Sequence, residues 1–111
     1  MIEWGNMNSD PVLEAFMQGI RPLRADIRDI YLFGSRARGS EKPDSDYDLL
    51  IVAKKKDYIL KDRIYDALTD VSIKYRRDIS LKFFPASEFD RLKAIPSHFI
   101  QNVLKDGIRL G

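Results

Sequence analysis

The chain has 111 residues, 44% of them hydrophobic and 32% charged, which supports one domain with one core and excludes two. A net charge of +2 is too weak for the basic stripe of a duplex-DNA binder, so stable duplex binding is not expected. Cysteine is absent and His98 is the only histidine, which excludes a disulfide framework, a thiolate metal site and an ordinary zinc site.

The first nine residues read as a polar leader without the basic start and apolar stretch of a signal peptide. Trp4 within it reads either as a partner anchor or as part of a tethered end. Asp10 is placed to cap a helix with Pro11 at its first position, where the missing N–H costs nothing. Val12, Leu13, Phe16, Ile20 and Leu23 recur at helical spacing, and the helix is expected to end near Ala25. Ile27 to Phe33 reads as a first strand stopped by Gly34. Ser35 to Arg38 fits a short helical turn, and Gly39 to Ser45, with Pro43, a polar loop.

Asp46 to Ala53 is apolar after its two acids, the pattern of a central strand. Its longest apolar run, Leu49 to Ala53, is far too short to cross a bilayer, and a soluble cytoplasmic protein with no membrane association is expected. Lys54, Lys55 and Lys56 read as a solvated loop. Asp57 caps a long helix ending near Tyr75, with Leu60, Ile64, Ala67, Leu68 and Val71 on its buried face. Arg77 to Phe84 alternates cleanly: Ile79, Leu81 and Phe83 point one way, and Asp78, Ser80 and Lys82 point toward solvent or a site. Pro85 ends that strand, and Ser87 with Asp90 has capping-box spacing before a short helix. Ser97 is expected to cap a last helix, with His98 on its surface and Phe99, Val103 and Leu104 in the core, stopping before Gly107. Ile108 to Leu110 reads as a short edge strand. The fold class is α/β or α+β.

The chemistry concentrates between Phe33 and Leu50. Side chains two apart on a strand share a face, so Asp46 and Asp48 project together while Tyr47 and Leu49 point the other way. Two carboxylates held this close repel, and a divalent cation removes the conflict. Magnesium favours a few carboxylates with phosphate oxygens and waters, and Asp78 lies where it could add a third ligand. Three carboxylates can seat two ions for phosphoryl or nucleotidyl transfer. Gly34, without a Cβ, lets a ligand come close to the backbone; Ser35 offers a hydroxyl, and a turn opening here favours an anion. Each part also has a plainer reading: a solvated acid pair, a simple turn, surface charges at Arg36 and Arg38, and a strand-edge gatekeeper at Asp78.

Gly34-Ser35-Arg36-Ala37-Arg38-Gly39 followed by Ser45-Asp46-Tyr47-Asp48-Leu49 resembles the signature of the minimal nucleotidyltransferase family, small relatives of the polymerase β catalytic domain. The resemblance spans nearly the whole chain. It implies a polymerase β-like fold, a small mixed sheet with helices packed on one face and the active site on the other. It implies that Gly34 and Ser35, with Arg36 and Arg38, bind the triphosphate of ATP. By the same likeness Asp46 and Asp48 hold two magnesium ions, and Asp78 completes the site that activates the acceptor hydroxyl. Arg77 stands before Asp78 where the family pattern has an apolar residue.

No sequence after Gly111 could form a second domain to grip an acceptor, so the acceptor side is expected from a partner. Chains of this size and motif resemble the antitoxin of a prokaryotic pair whose toxin is a HEPN-family ribonuclease. The resemblance implies transfer of AMP from ATP to a tyrosine of that toxin. Transfer to a small molecule or to RNA, and a catalytically inactive binding antitoxin, stay open beside it.

Overall fold

The computed structural model describes residues 2–3, 10–39, 45–96 and 98–111. The expectations for Trp4, for the middle of the loop containing Pro43 and for a Ser97 cap lie outside these residues. The elements run β1 (Ile2–Glu3), α1 (Pro11–Gly19), a 3-10 helix (Arg21–Asp26), β2 (Ile27–Phe33), α2 (Ser35–Arg38), β3 (Tyr47–Ala53), α3 (Tyr58–Tyr75), β4 (Ile79–Pro85), α4 (Ala86–Ala94), α5 (His98–Asp106) and β5 (Ile108–Arg109). They build one mixed sheet in the order β1-β5-β2-β3-β4, the expected fold class. β3 runs antiparallel to β2 and parallel to β4, which makes it central, as its apolar run predicts.

Local chemistry sets most boundaries. The Asp10 carboxylate accepts from the N–H groups of Val12 and Leu13, and that of Asp57 accepts from Ile59 and Leu60, so both long helices start where a short acid satisfies their first donors. α1 stops at Gly19, short of the expected Ala25. Pro22 has no N–H for the next helical bond and disfavours the α conformation of Arg21, so the chain tightens into the 3-10 turn instead. β4 starts at Ile79, which leaves Asp78 just ahead of the strand.

Three other expectations need correction. Ser87 lies inside α4, whose N-cap is Pro85, with no side-chain cap bond. Its expected partner Asp90 instead accepts a pair of bonds from the Arg28 guanidinium, both 2.9 Å. β5 is not an edge: Ile2 and Glu3 of the expected leader pair in parallel with Ile108 and Arg109, outside it. Phe99 is not core; it is 38% exposed, although Val103 on the same helix is buried.

α1 and α3 cover one sheet face. Phe16, Ile20 and Ile64 are fully buried there against Ile30, Leu49 and Ile51. The other face is not bare, as helices on one side alone would leave it. Tyr31, Leu50 and Val52 are apolar at the alternate positions, so Phe89 of α4 and Ile100 and Val103 of α5 pack over them. Burying Phe89 completely contributes about 1.5–3 kcal/mol and holds α4 down. Asp29, a buried acid of β2, is paired with Arg28 at 2.9 Å and Arg109 at 3.0 Å. Among the described residues no helix is long and apolar enough to cross a membrane. The end of the second face near Asp48, Ser80 and Lys82 stays uncovered, and the candidate site lies there.

Candidate functional site

Strand parity places the acids. Tyr47, Leu49, Ile51 and Ala53 face α1 and α3, so Asp46 and Asp48 face the other way, in line with Leu50 and Val52. Asp48 pairs across the sheet with Phe33, the last residue of β2, and with Ser80 of β4. Gly34 therefore turns directly over the Asp48 carboxylate. A Cβ added to Gly34 would run into Oδ2 of Asp48 and stand 3.2 Å from its Cγ. Gly34 also has φ 76° and ψ −158°, a conformation open to glycine almost alone. The turn thus needs glycine for its backbone and for the acid beneath it. Gly34 leads into the single helical turn Ser35–Arg38, closed by Gly39 in the left-handed region at φ 73°.

The third acid is brought near by the parallel register. The Tyr47 N–H donates to the Asp78 carbonyl at 3.0 Å, so Asp46 and Asp78 stand at adjacent strand entrances, both exposed and at positions of one face. Among the described residues no group of three or more acidic or histidine side chains is gathered tightly enough to hold a metal ion. The backbone sets the three carboxylates around one end of the sheet; their oxygens are not drawn into a closed cage.

Electrostatics couples two of the three acids, Asp46 and Asp48. Partial burial pushes the Asp48 carboxyl above the usual carboxylate range, and the charge of Asp46 adds to the shift. Arg38 and Lys82 oppose it, so both cations act at the Asp48 carboxylate. The Asp46–Asp48 pair is a set of hard oxygen donors short of positive charge. It fits a divalent cation of the magnesium type, commonly held by one or two carboxylates with substrate phosphates.

The two arginines of the turn separate. Arg38 is exposed, and its charge acts on the Asp48 carboxylate. Arg36 is committed to the opposite side: its Nε donates to the Ser45 carbonyl at 3.0 Å, and its guanidinium sits 3.9 Å from the Tyr47 ring centroid. That contact ties the turn to the start of β3 and fixes where Asp46 and Asp48 emerge. Tyr47 continues the tie, because its hydroxyl donates to Oδ2 of Asp10 at 2.7 Å.

That bond yields a stability test. Tyr47→Phe lowers unfolding stability by about 1–2 kcal/mol, since a hydrogen bond to a charged group is lost from a buried ring. Burial, then the Asp10 bond, pushes the Tyr47 phenol from 10 up to about 12. The contribution is therefore complete below pH 10 and disappears as pH rises through 12, because the unfolded chain ionises first. Thermal melts of both proteins across that range check it, with the difference between them closing as pH rises.

The sequence placed Lys82 with Asp78 and Ser80 on the face toward solvent or a site without singling it out as a cation acting on Asp48. Sequence reasoning missed a cavity of about 420 Å³ beside Gly34, lined by residues of β2, of the turn and of α5. A larger hollow of about 610 Å³ opens against α1, near Glu14, Arg21 and Tyr75; it contains no acid pair and lies on the other side of the sheet.

Comparison with known proteins gives the family and the fold. A family model described as polymerase beta, nucleotidyltransferase matches residues 20–110. A Methanocaldococcus jannaschii protein that carries the name protein adenylyltransferase is 33% identical over 102 residues, 91% of this chain and 96% of that one. Among solved structures, a toxin–antitoxin complex with AMP-PNP superimposes with a TM-score of 0.60 at 21% identity, over 88% of this chain and 71% of that one. A complex of a tri-AMPylated Shewanella oneidensis HEPN toxin with its MNT antitoxin gives a TM-score of 0.50 at 20% identity, over 90% of this chain and 71% of that one. At those identities the two structures share the fold.

Proposed function

Because the chain belongs to the polymerase beta nucleotidyltransferase family, we propose that it transfers AMP from ATP, with magnesium, to a tyrosine hydroxyl of a HEPN-family toxin and acts as that toxin's antitoxin. The observation that carries the reading is the close approach of Gly34 to the Asp48 carboxylate, beside Asp46. It sets the backbone of a glycine turn directly against a pair of metal-type ligands. The name of the Methanocaldococcus jannaschii relative supports protein as the acceptor, and the AMPylated toxin in the Shewanella oneidensis complex supports a HEPN partner.

Each residue has a task in that reading. The turn at Gly34 and Ser35 cradles the triphosphate, and Arg38 and Lys82 supply positive charge alongside it. Asp46 and Asp48 would hold the magnesium ions, with Asp78 swinging in to complete the set. Bound magnesium supplies charge neutralisation on the phosphates and makes the acceptor hydroxyl more acidic. The acceptor oxygen forms a bond to the α-phosphorus. The bond from that phosphorus to the oxygen bridging to the β-phosphate breaks, and pyrophosphate leaves. The hydroxyl proton passes to Asp78, which is exposed and can hand it to water. Arg36 and Tyr47 take no part in the transfer; they hold the turn and the acid strand in register.

The test is incubation of the chain with ATP, magnesium and a HEPN-family toxin, followed by intact-mass measurement of the toxin. The expected result is a mass increase of one or more AMP units that depends on magnesium. An unmodified toxin, with nucleotide bound but not consumed, would overturn the transfer and leave a binding antitoxin.

A further inference from the structure

The cavity beside Gly34 has a chemistry that neither the phosphates nor the acids use. We infer that it takes the nucleobase of the bound triphosphate, a purine stacked against Phe33 and Phe99 whose amino-bearing edge is read by Asn102 and Asp106. This deepens the triphosphate reading of the site and rests on it.

Position comes first. At about 420 Å³ the cavity falls in the range of small-molecule sites. It shares Gly34 and Arg38 with the turn proposed to hold the phosphates, so a nucleotide lying along that turn has room here for its other end.

The apolar part follows. Phe33 is the last residue of β2 and only half buried, and Phe99 opens α5 with 38% of its surface exposed. Their rings meet edge to face, centroids 5.3 Å apart at 88°. Ile100 and Val103 on the same helix are buried against the sheet, so Phe99 is held at the cavity by a fixed helix rather than left on a loose end. An exposed phenylalanine beside a hollow leaves apolar surface in water, and a flat base would cover it.

Stacking accepts any base, because every base has a π face, so choice must come from polar groups. Phe99, Asn102, Val103 and Asp106 line the cavity at the spacing of one helical face. The Asn102 amide carries both donors and an acceptor, the set that matches the amino group and neighbouring ring nitrogen of adenine. An ionised Asp106 only accepts; it favours an amino group and repels a carbonyl oxygen at the same position. Inosine replaces that amino group by a carbonyl and makes the neighbouring ring nitrogen an N–H donor; the Asn102 amide can turn over to pair with either edge, so Asp106 carries the choice and ITP is the discriminating probe.

The experiment is calorimetric titration of the full chain, with magnesium, against ATP, ITP and inorganic tripolyphosphate. Wild type is expected to bind ATP about 10-fold tighter than ITP, Asp106→Asn to bring the two within about 2-fold, and Phe99→Ala to weaken ATP by about 10-fold with tripolyphosphate unchanged. Asp106 is exposed, so its substitution leaves the packing intact, and Phe99→Leu keeps apolar bulk without the ring if the alanine variant melts early. Equal binding of ATP and ITP by wild type, or a Phe99→Ala loss as large for tripolyphosphate as for ATP, overturns the base pocket and leaves the phosphate site standing. Failure of wild type to bind any of the three overturns the triphosphate reading and this inference with it.

Discussion

Asp46→Asn combined with Asp48→Asn is expected to lower AMP transfer by at least about 10³-fold while leaving the protein as stable as wild type, or slightly more stable. The sign of the stability change follows from the Asp48 carboxyl, which is held above the ordinary carboxylate range by burial and by the Asp46 charge. A carboxyl with a raised folded-state pKa opposes folding once pH exceeds its ordinary value, because the ionised form is the less favoured one in the native state. Asparagine keeps the size and removes the charge. Relief of one like-charge contact contributes up to roughly 1 kcal/mol, a rise in Tm of a few degrees for a domain of about this length. Residues that serve only the fold rarely behave this way, since their removal costs stability. Intact-mass assay of the toxin and a thermal melt, run on the same preparation, check both halves. A double variant that still transfers AMP removes the acids from the chemistry, and one that melts well below wild type makes them structural.

Much of this site is legible in the order of the amino acids, for identifiable reasons. The boundaries of Ile27–Phe33 follow from an apolar run that ends abruptly at a glycine, and those of Tyr58–Tyr75 from Asp57, one residue ahead of a helical pattern. The shared face of Asp46 and Asp48 needs only strand parity. What escapes the sequence depends on partners distant along the chain. Ile2–Glu3 is a strand only because Ile108–Arg109 lies beside it, and two residues carry no periodicity of their own. Asp90 has the right spacing for a cap, but Arg28 offers it two bonds at once, which no local pattern reveals. Arg36 and Arg38 look alike in sequence; the Ser45 carbonyl and the Tyr47 ring take the first, while the charge of the second acts on the Asp48 carboxylate. Phe99 looks like core because its helical neighbours are, yet the first turn of α5 overhangs the cavity, and the partner it meets is Phe33 from the far end of β2.

Gly34→Ala is expected to have the opposite signature to the acid pair, losing stability and transfer together. Its backbone conformation, φ 76° and ψ −158°, is one that residues with a Cβ adopt at a cost of about 1–3 kcal/mol. The new methyl also falls on the Asp48 carboxylate. Oδ2 could swing aside alone, but Cγ at 3.2 Å and Cβ at 3.4 Å are crowded too, so the whole side chain must shift or β2 must part from β3 at the Phe33–Asp48 pair. Either response moves the acid from the position the turn requires, and transfer falls by at least about 10²-fold, the scale on which small displacements of reacting groups are felt. Combining Gly34→Ala with Asp48→Ala separates the two causes. The smaller side chain removes the collision but leaves the backbone strain, so stability recovers only in part and transfer does not recover at all. If Gly34→Ala loses stability yet binds magnesium and ATP as wild type does, the glycine serves the turn alone, and the contact between loop and acid loses its place in the chemistry.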